Sequence, residues 1–528
     1  MSRPAIDRAF ERRLSALINS GQPQILQGGR KGVEKESLRV RPDGMLVTTG
    51  HPRALGSALT NVHITTDYSE SLLELVTPAF TASWELLQYL LDLHQFVYRH
   101  LGDELLWATS MPCSINRDED IPIAQFGSSN VGRMKHIYRR GLGLRYGRMM
   151  QATSGVHFNY SFPLAFWELY ADIRESRERG ADFISASYFD LLRNYRRIGW
   201  LVLYLFGVSP VVCKSFLRGR AAQLPELTGN TAYEPYATSL RMSDVGYRNR
   251  NQSGLSVSVN SLDEYVRDLS RAISTVHPPY AQLGLRDASG EYQQLNANIL
   301  QIENEYYAFI RPKRVARSGE RPTKALQRAG VEYVEVRALD VSAFDPVGVN
   351  QNKLRFLEAF LALCLMKDSP PISAAEQSSL DQNHVTVARR GREPDLRLWR
   401  DGHDVPMRQW AQELLDSMTG ICEVLDSGDV SRPYSAALAV QAAKLADVHL
   451  TPSARLLAEL TDSGESFSEL ALRVSRAHKA YFLDLYPPNE ERLAEFAAQA
   501  QESLARQASI EAGDKGTYEQ YLARYFAD

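Results

Sequence analysis

Glu34 and Glu36 stand two residues apart in GVEKESLRV, so on a strand both carboxylates leave the same face, which Leu38 and Val40 continue. Two like charges on the buried side of a sheet are costly unless something neutralises them, and divalent cations with oxygen ligands do so. The plainer alternative is an edge strand with both acids in water. A second acidic group follows in TTDYSESLLELVTP, where Glu74 alternates with Leu73 and Leu75 and Asp67 comes earlier. Asp67 and Glu70 also have the spacing of a capping box, which by itself reads as a helix start. In VEYVEVRALD, Glu335 and Arg337 share a face with Val331 and Tyr333, an acid beside an arginine that is also the pattern of a cross-strand ion pair. SGVHFNYSF alternates Val156, Phe158, Tyr160 and Phe162 with His157, Asn159 and Ser161, a wall with one apolar and one functional side. A lone histidine is commonly structural, so His157 matters through its company. QIENEYYAFIRPKR reads as a strand with Gln301, Glu303, Glu305, Tyr307, Phe309 and Arg311 on one side, and its basic end, through Lys313 and Arg314, suits phosphate oxygens. Carboxylates that hold cations, next to arginines that hold phosphate, are the equipment of metal-assisted phosphoryl transfer.

These residues need strands to align them. Turn signals alternate with short β-like runs over residues 25–80, and strands recur at 155–162 and from about 290 to 340. Helices are expected at 82–102, 131–149, 183–206 and 351–366, the last with Leu354, Leu357, Leu361 and Cys364 on one stripe. The segment 369–405, rich in Pro, Ser, Asp and Arg, reads as a loop or boundary. Helical periodicity returns in five stretches, 406–427, 434–448, 452–463, 466–485 and 488–508. No internal repeat is visible.

Composition excludes several classes. The 528 residues carry 60 basic and 63 acidic side chains, a net charge of -3, so a strong polyelectrolyte partner is not indicated. The basic stretch Arg311–Arg328 holds one acid, Glu320, but no nucleic-acid motif accompanies it. The N-terminus reads as an amphipathic helix without the apolar core of a signal peptide, and the apolar run Trp200–Val212 is too short to span a membrane. Cys113, Cys213, Cys364 and Cys422 lie far apart with no C-x-x-C pair, which argues against a zinc ribbon, a redox dithiol or a disulfide scaffold and favours a reducing compartment. There is no G-x-x-x-x-G-K-[ST] loop, no G-x-G-x-x-G after a strand and no kinase motif set, so any nucleotide must be held by metals on carboxylates and by arginines.

Seven segments, GVEKESLRV, TGHPRALGSALTN, ITTDYSESLLELVTP, SGVHFNYSFP, YATSLRMSDVGY, QIENEYYAFIRPKR and EYVEVRALD, closely resemble, in this order, the motifs of the proteobacterial glutamate–cysteine ligases, also called γ-glutamylcysteine synthetases. The match is dense from Gln27 to Asp345. The resemblance implies an α+β fold similar to the catalytic fold of glutamine synthetase, a curved, largely antiparallel sheet forming a funnel wrapped by helices, with a helical C-terminal layer. It implies a catalytic domain over residues 1–370 and a mainly helical region over 371–528 packed on it. It assigns Glu34, Glu36, Asp67, Glu74, His157 and Glu335 as metal ligands and Arg337 as the contact of the transferring phosphate; Arg311 and Lys313, from the basic end of their run, are expected beside the nucleotide. Tyr138, Leu142, Gln151, Arg241, Tyr247 and Tyr307 would form the cysteine subsite.

The activity so implied is ATP-dependent ligation of the glutamate γ-carboxylate to the cysteine amine through a γ-glutamyl phosphate, the first step of glutathione biosynthesis. About two or three Mg²⁺ ions, or Mn²⁺, would serve as cofactors. The resemblance further implies a cytoplasmic monomer open to feedback by glutathione. ARRGREPDLRLWRDGHDVP aligns with no family motif. Three other readings remain: a ligase with a different amine acceptor, a metal- or nucleotide-sensing module without turnover, and, least supported, a nucleic-acid binder. A bifunctional ligase is disfavoured because the tail is too short for a second ATP-binding domain.

Overall fold

The structure, a computed structural model, describes residues 7–218, 224–246, 255–317 and 319–527. Its centre is a seven-stranded antiparallel sheet. Five strands come from the first third of the chain: β1 (Arg30–Val40), β2 (Ile64–Thr66), β3 (Leu72–Val76), β4 (Leu105–Leu106) and β5 (Gly155–Ser161). Next in the chain is a separate small sheet of β6 (Val211–Cys213), β7 (Glu226–Thr228) and β8 (Thr231–Tyr233). β9 (Ile310–Lys313) and β10 (Tyr333–Asp340) complete the central sheet, in the order β2-β3-β1-β5-β10-β9 with β4 beside β1. A hairpin, β11 (Arg397–Arg400) and β12 (His403–Pro406), lies outside it.

β1 is the spine of the sheet because its alternation serves two environments. Glu34 and Glu36 face one side, while Lys31, Val33, Lys35, Ser37 and Arg39 face the other. On that second side Lys31 Nζ meets Glu358 Oε2 at 2.6 Å, both side chains fully buried. Tyr160 and Tyr434 hydroxyls donate to the same carboxylate at 3.3 and 2.7 Å. Glu358 belongs to the helix Gln351–Met366, which Asn350 caps by accepting from Lys353 N. That helix is buried on nearly every side, not only along the expected stripe, because the helices Gly180–Ile198, Met407–Leu425 and Pro433–Ala446 all pack around it. One apolar core therefore runs from Phe10 to Phe496, across the sheet and into the C-terminal helices. Among the described residues no helix is long and apolar enough to cross a membrane.

Three expectations need correction. The polar segment 369–405 is not a loop: it forms the helix Ala374–Arg390 and most of the β11–β12 hairpin. Its inner face carries Asn383 and His384 beside Leu380, Val387 and Ala388, so apolar periodicity is broken by buried polar groups. Asn383 makes two bonds to the backbone of Trp399, at 2.7 and 2.9 Å, and thereby clamps the hairpin to the helix. The run from Tyr292 to Phe309 is not a strand either: it makes only isolated bridges, Tyr292 with Arg286 and Asn298 with Val276, before the strand Ile310–Lys313, and Glu303–Glu305 is a 3₁₀ turn. Its alternating polarity reflects buried ion pairs made sideways, Glu305 with Arg145 at 3.0 Å and Glu303 with Arg321 at 2.9 Å. Third, Cys113 and Cys213 are bonded, with Cα atoms 5.4 Å apart across a separation of 100 residues, while Cys364 and Cys422 are free and buried. The fold lays the segment after β4 against β6, a proximity that sequence spacing does not reveal. The final helix, Tyr518–Ala527, which periodicity did not single out, packs on Asn130–Tyr146 with Arg133 4.7 Å over the Tyr518 ring.

Replacing Glu358 by Gln strands the buried Lys31 ammonium. Loss of one partner of a buried pair costs about 3–5 kcal/mol, so Glu358→Gln is expected to lower the urea midpoint of unfolding markedly. An unchanged midpoint would show that the pair does not anchor the sheet.

Candidate active site

The inner face of the sheet carries one row of functional side chains set by strand register. Glu74 on β3 pairs with Glu36 on β1, and Glu34 pairs with His157 on β5. Asn159 on β5 pairs with Glu335 on β10, which pairs in turn with Arg311 on β9. Acids thus dominate one end and bases the other. The register shifts between Val336 and Leu339, a bulge that lies at Arg337, and bulges commonly re-aim a side chain beside a functional site.

Ligand atoms of Glu34, Glu74 and His157 all lie within 4.8 Å of one another, close enough to share a cation. His157 Nδ1 is 3.1 Å from Glu34 Oε2, and its Nε2 lies 3.8 Å from Glu36 Oε1. Asn159 Nδ2 donates to Glu34 Oε1 at 2.9 Å, while its buried Oδ1 has no hydrogen bond among the described residues. Glu36 accepts from Gly155 N at 2.7 Å. Asp67 sits in the turn between β2 and β3, not at a helix start, and faces Arg139 at 3.7 Å. At the other end, Glu335 lies between Lys313 and Arg337, each at 3.1 Å.

The electrostatics follow this layout. Burial raises the Glu74 carboxyl, and Glu34, Asp67 and Glu36 add to it, so it titrates well above the usual carboxylate range. Burial likewise leaves Glu36 raised, with Asp67 pushing the same way against His157. Burial and Glu335 push Glu34 up, but the bond and charge of His157, with Lys313, bring it below its ordinary value. Glu335 is buried too, yet Lys313, Arg337, His157 and Arg311 pull it well below. Protein cations satisfy the β10 end, while at the β3–β1 end Glu34, Glu36 and Glu74 make no ion pair with a lysine or arginine among the described residues. That end fits a hard divalent cation, through carboxylate oxygens and one imidazole nitrogen.

A glutamate–cysteine ligase family model matches residues 14–387. Curated glutamate–cysteine ligases from Alcanivorax borkumensis and Pseudomonas putida are 49% and 48% identical over 525 and 518 residues, covering 98% of this chain and 99% and 98% of theirs. The chain belongs to the glutamate–cysteine ligase family. Its fold matches a crystal structure of glutamate–cysteine ligase from Francisella tularensis in complex with AMP, with a TM-score of 0.89 at 38% identity, over 95% of this chain and 98% of that one. A bifunctional glutathione synthetase from Pasteurella multocida shares the fold alone, with a TM-score of 0.70 at 22% identity over 89% of this chain and 55% of that one.

Within this family member, the six residues expected as metal ligands fall into a trio and its surroundings: Glu34, Glu74 and His157 converge, while Glu36, Asp67 and Glu335 stand around them. Arg311 folds back on its own loop, donating to the Asn304 carbonyl at 3.1 Å and to that of Tyr306. Of the residues expected to form the cysteine subsite, Tyr307 donates to Met242 Sδ at 3.5 Å and so lies beside the turn Leu240–Met242 that carries Arg241. Gln151 is buried four residues before Gly155, where an added Cβ would stand 3.0 Å from Arg241 Nη1. Tyr138 and Leu142 project one helical turn apart from Asn130–Tyr146, and the Tyr138 carbonyl accepts from Gln301 at 3.1 Å. Tyr247 lies outside the described residues.

Asn159 stands on the functional face of β5, as its alternation predicts, and its bond to Glu34 is not foreshadowed by the sequence. Lys135 and Arg139, four residues apart on one helix face and in none of the expected sites, lie at the acidic end, Arg139 3.7 Å from Asp67 and Lys135 within the field of Glu74. Burial pushes the Lys135 ammonium down to about 8, and Arg139 adds to this while Glu74 opposes it. The i, i+4 spacing of these two bases was the available signal.

Glu74 has a raised folded value, so its contribution to stability is present below the unfolded value and is lost as pH rises through the folded one. In metal-free protein at pH 8, Glu74→Gln is therefore expected to raise the melting temperature, while Mg²⁺ stabilises the parent chain more than the variant. A variant less stable without metal and equally stabilised by it would contradict this.

Proposed function

We propose that the protein joins the γ-carboxylate of L-glutamate to the amine of L-cysteine at the expense of ATP, through a γ-glutamyl phosphate, giving γ-glutamylcysteine, ADP and phosphate. The observation that carries this reading is the charge gradient along one sheet face, a carboxylate–histidine trio at one end and Arg337 with Lys313 at the other. A carboxylate is a poor electrophile, so its oxygen must first become a leaving group, and phosphorylation accomplishes this.

Divalent cations, Mg²⁺ or Mn²⁺, held by Glu34, Glu74 and His157 with Glu36, Asp67 and Glu335 around them, would neutralise phosphate oxygens and bring nucleophile and leaving group into line. Arg337, planar and permanently charged, suits the equatorial oxygens of the transferring phosphoryl group, and its bond to Glu335 fixes its direction. Lys313 lies on the same side of the sheet, where burial acts against the charge on its ammonium while Glu335 and Glu34 raise its pKa overall. Arg241 receives the carboxylate of the incoming cysteine, and Tyr307 closes over it, keeping water from the acyl phosphate. The catalytic part comprises residues 1–370, with 371–528 as a helical layer around it. Feedback by glutathione, a monomeric state and a cytoplasmic location extend the reading from the family resemblance.

Purified protein with ATP, Mg²⁺, glutamate and cysteine is expected to form the dipeptide, identified by mass, and Arg337→Ala is expected to lower kcat on the order of 10³-fold. Turnover stimulated by ammonia or a polyamine but not by cysteine would overturn the reading.

Tyr307→Phe is expected to raise KM for cysteine more than KM for ATP. Equal changes in both would remove Tyr307 from the acceptor subsite.

A further inference from the structure

The guanidinium of Arg241 is gripped along one edge. Nε donates to Asp340 Oδ1 at 2.8 Å, and Nη2 donates to the carbonyls of Leu339 at 2.7 Å and Arg337 at 3.4 Å. Among the described residues Nη1 makes no hydrogen bond and lies over Gly155, where an added Cβ would stand 3.0 Å from it. The gripped edge faces the protein, and the other edge is left for a ligand.

Asp340 does more than pair with Arg241. Its side chain is fully buried, that of Arg241 is 6% exposed, and Oδ1 also accepts from Ser239 Oγ at 3.0 Å. Ser239 caps the turn Leu240–Met242, and Asp340 Oδ2 accepts from Val208 N at 2.9 Å. One carboxylate thus fixes the start of the turn, the segment before β6 and the guanidinium itself. Asp340 is also the last residue of β10, the strand that carries Glu335 and Arg337, so the acceptor subsite is registered directly to the phosphate end of the site.

The alternative partner for this guanidinium is close. Glu36 accepts from the backbone N–H of Gly155, the residue that Arg241 overlies, and its carboxyl feels the Arg241 charge. A guanidinium freed from Asp340 would turn towards that carboxylate and withdraw Nη1 from the substrate. We infer that Asp340 is a positioning residue for the amine substrate: it holds Arg241 so that Nη1 meets the substrate carboxylate and does not collapse onto Glu36. This rests on the reading of Arg241 as the contact of the acceptor carboxylate.

The experiment compares full-length Asp340→Asn and Ser239→Ala with the parent chain. Steady-state KM is measured for ATP, glutamate, cysteine and cysteamine, which is the same acceptor without its carboxylate. Asp340→Asn is expected to raise KM for cysteine on the order of 10- to 100-fold, the scale of a lost charge-assisted hydrogen bond. ATP, glutamate and cysteamine should change far less, and Asp340→Glu should recover part of the loss. Should Asp340→Asn fail to fold, Ser239→Ala, which removes one bond to the same oxygen, is expected to show a smaller effect with the same selectivity. An unchanged KM for cysteine in the folded variant, or an equal rise for cysteine and cysteamine, overturns the inference. Arg241→Lys is the separate control: if it leaves KM for cysteine unaltered, the reading of Arg241 itself fails.

Discussion

Carboxylates crowded on one buried sheet face repel one another, and the rest of the molecule is arranged around that repulsion. Glu34, Glu36 and Glu74 come from adjacent strands, in registers that place them side by side. Folding alone does not discharge them: the nearest neutralising group is His157, and Glu74 is left with its proton affinity raised. A neighbouring acid on the same face, Glu335, has two protein cations and is correspondingly acidic. Burial is common to both, so the difference lies in the supply of positive charge.

The outer side of β1 shows how the fold supports such a face. Acids point inward from β1 and bases point outward, and one of those bases, Lys31, is tied by Glu358 to a helix buried among others. Tyr434, from the helix Pro433–Ala446, joins the same carboxylate, so the C-terminal layer braces the strand that carries the acids. Rigid backing of this kind keeps like charges together when they would otherwise spread.

Alternation made much of this legible in the sequence. β1, β3, β5 and β10 were readable because period-two patterns put Glu34 with Glu36, His157 with Asn159, and Glu335 with Arg337 on single faces. Cross-strand adjacency was not readable, since Glu74 meets Glu36 only through the pairing of β3 with β1. Glu303 and Glu305 misled for the opposite reason: their alternation mimics a strand, but each is buried against an arginine from elsewhere in the chain. Asn383 and His384 concealed a helix by placing polar groups in its core-facing stripe. Asp340 went unnoticed because its partners, Arg241, Ser239 and Val208, lie about 100 or more residues away in sequence.

If the acidic end of the site waits for a cation, metal competes with protons for Glu74, whose carboxyl is raised well above the usual range by burial and by its acidic neighbours. Calorimetric titration of the metal-free protein with Mg²⁺, in two buffers of different ionisation enthalpy at neutral pH, measures that competition directly. The account requires net proton release on binding, reduced in Glu74→Gln. Binding without proton release, or no binding at millimolar Mg²⁺, would contradict it.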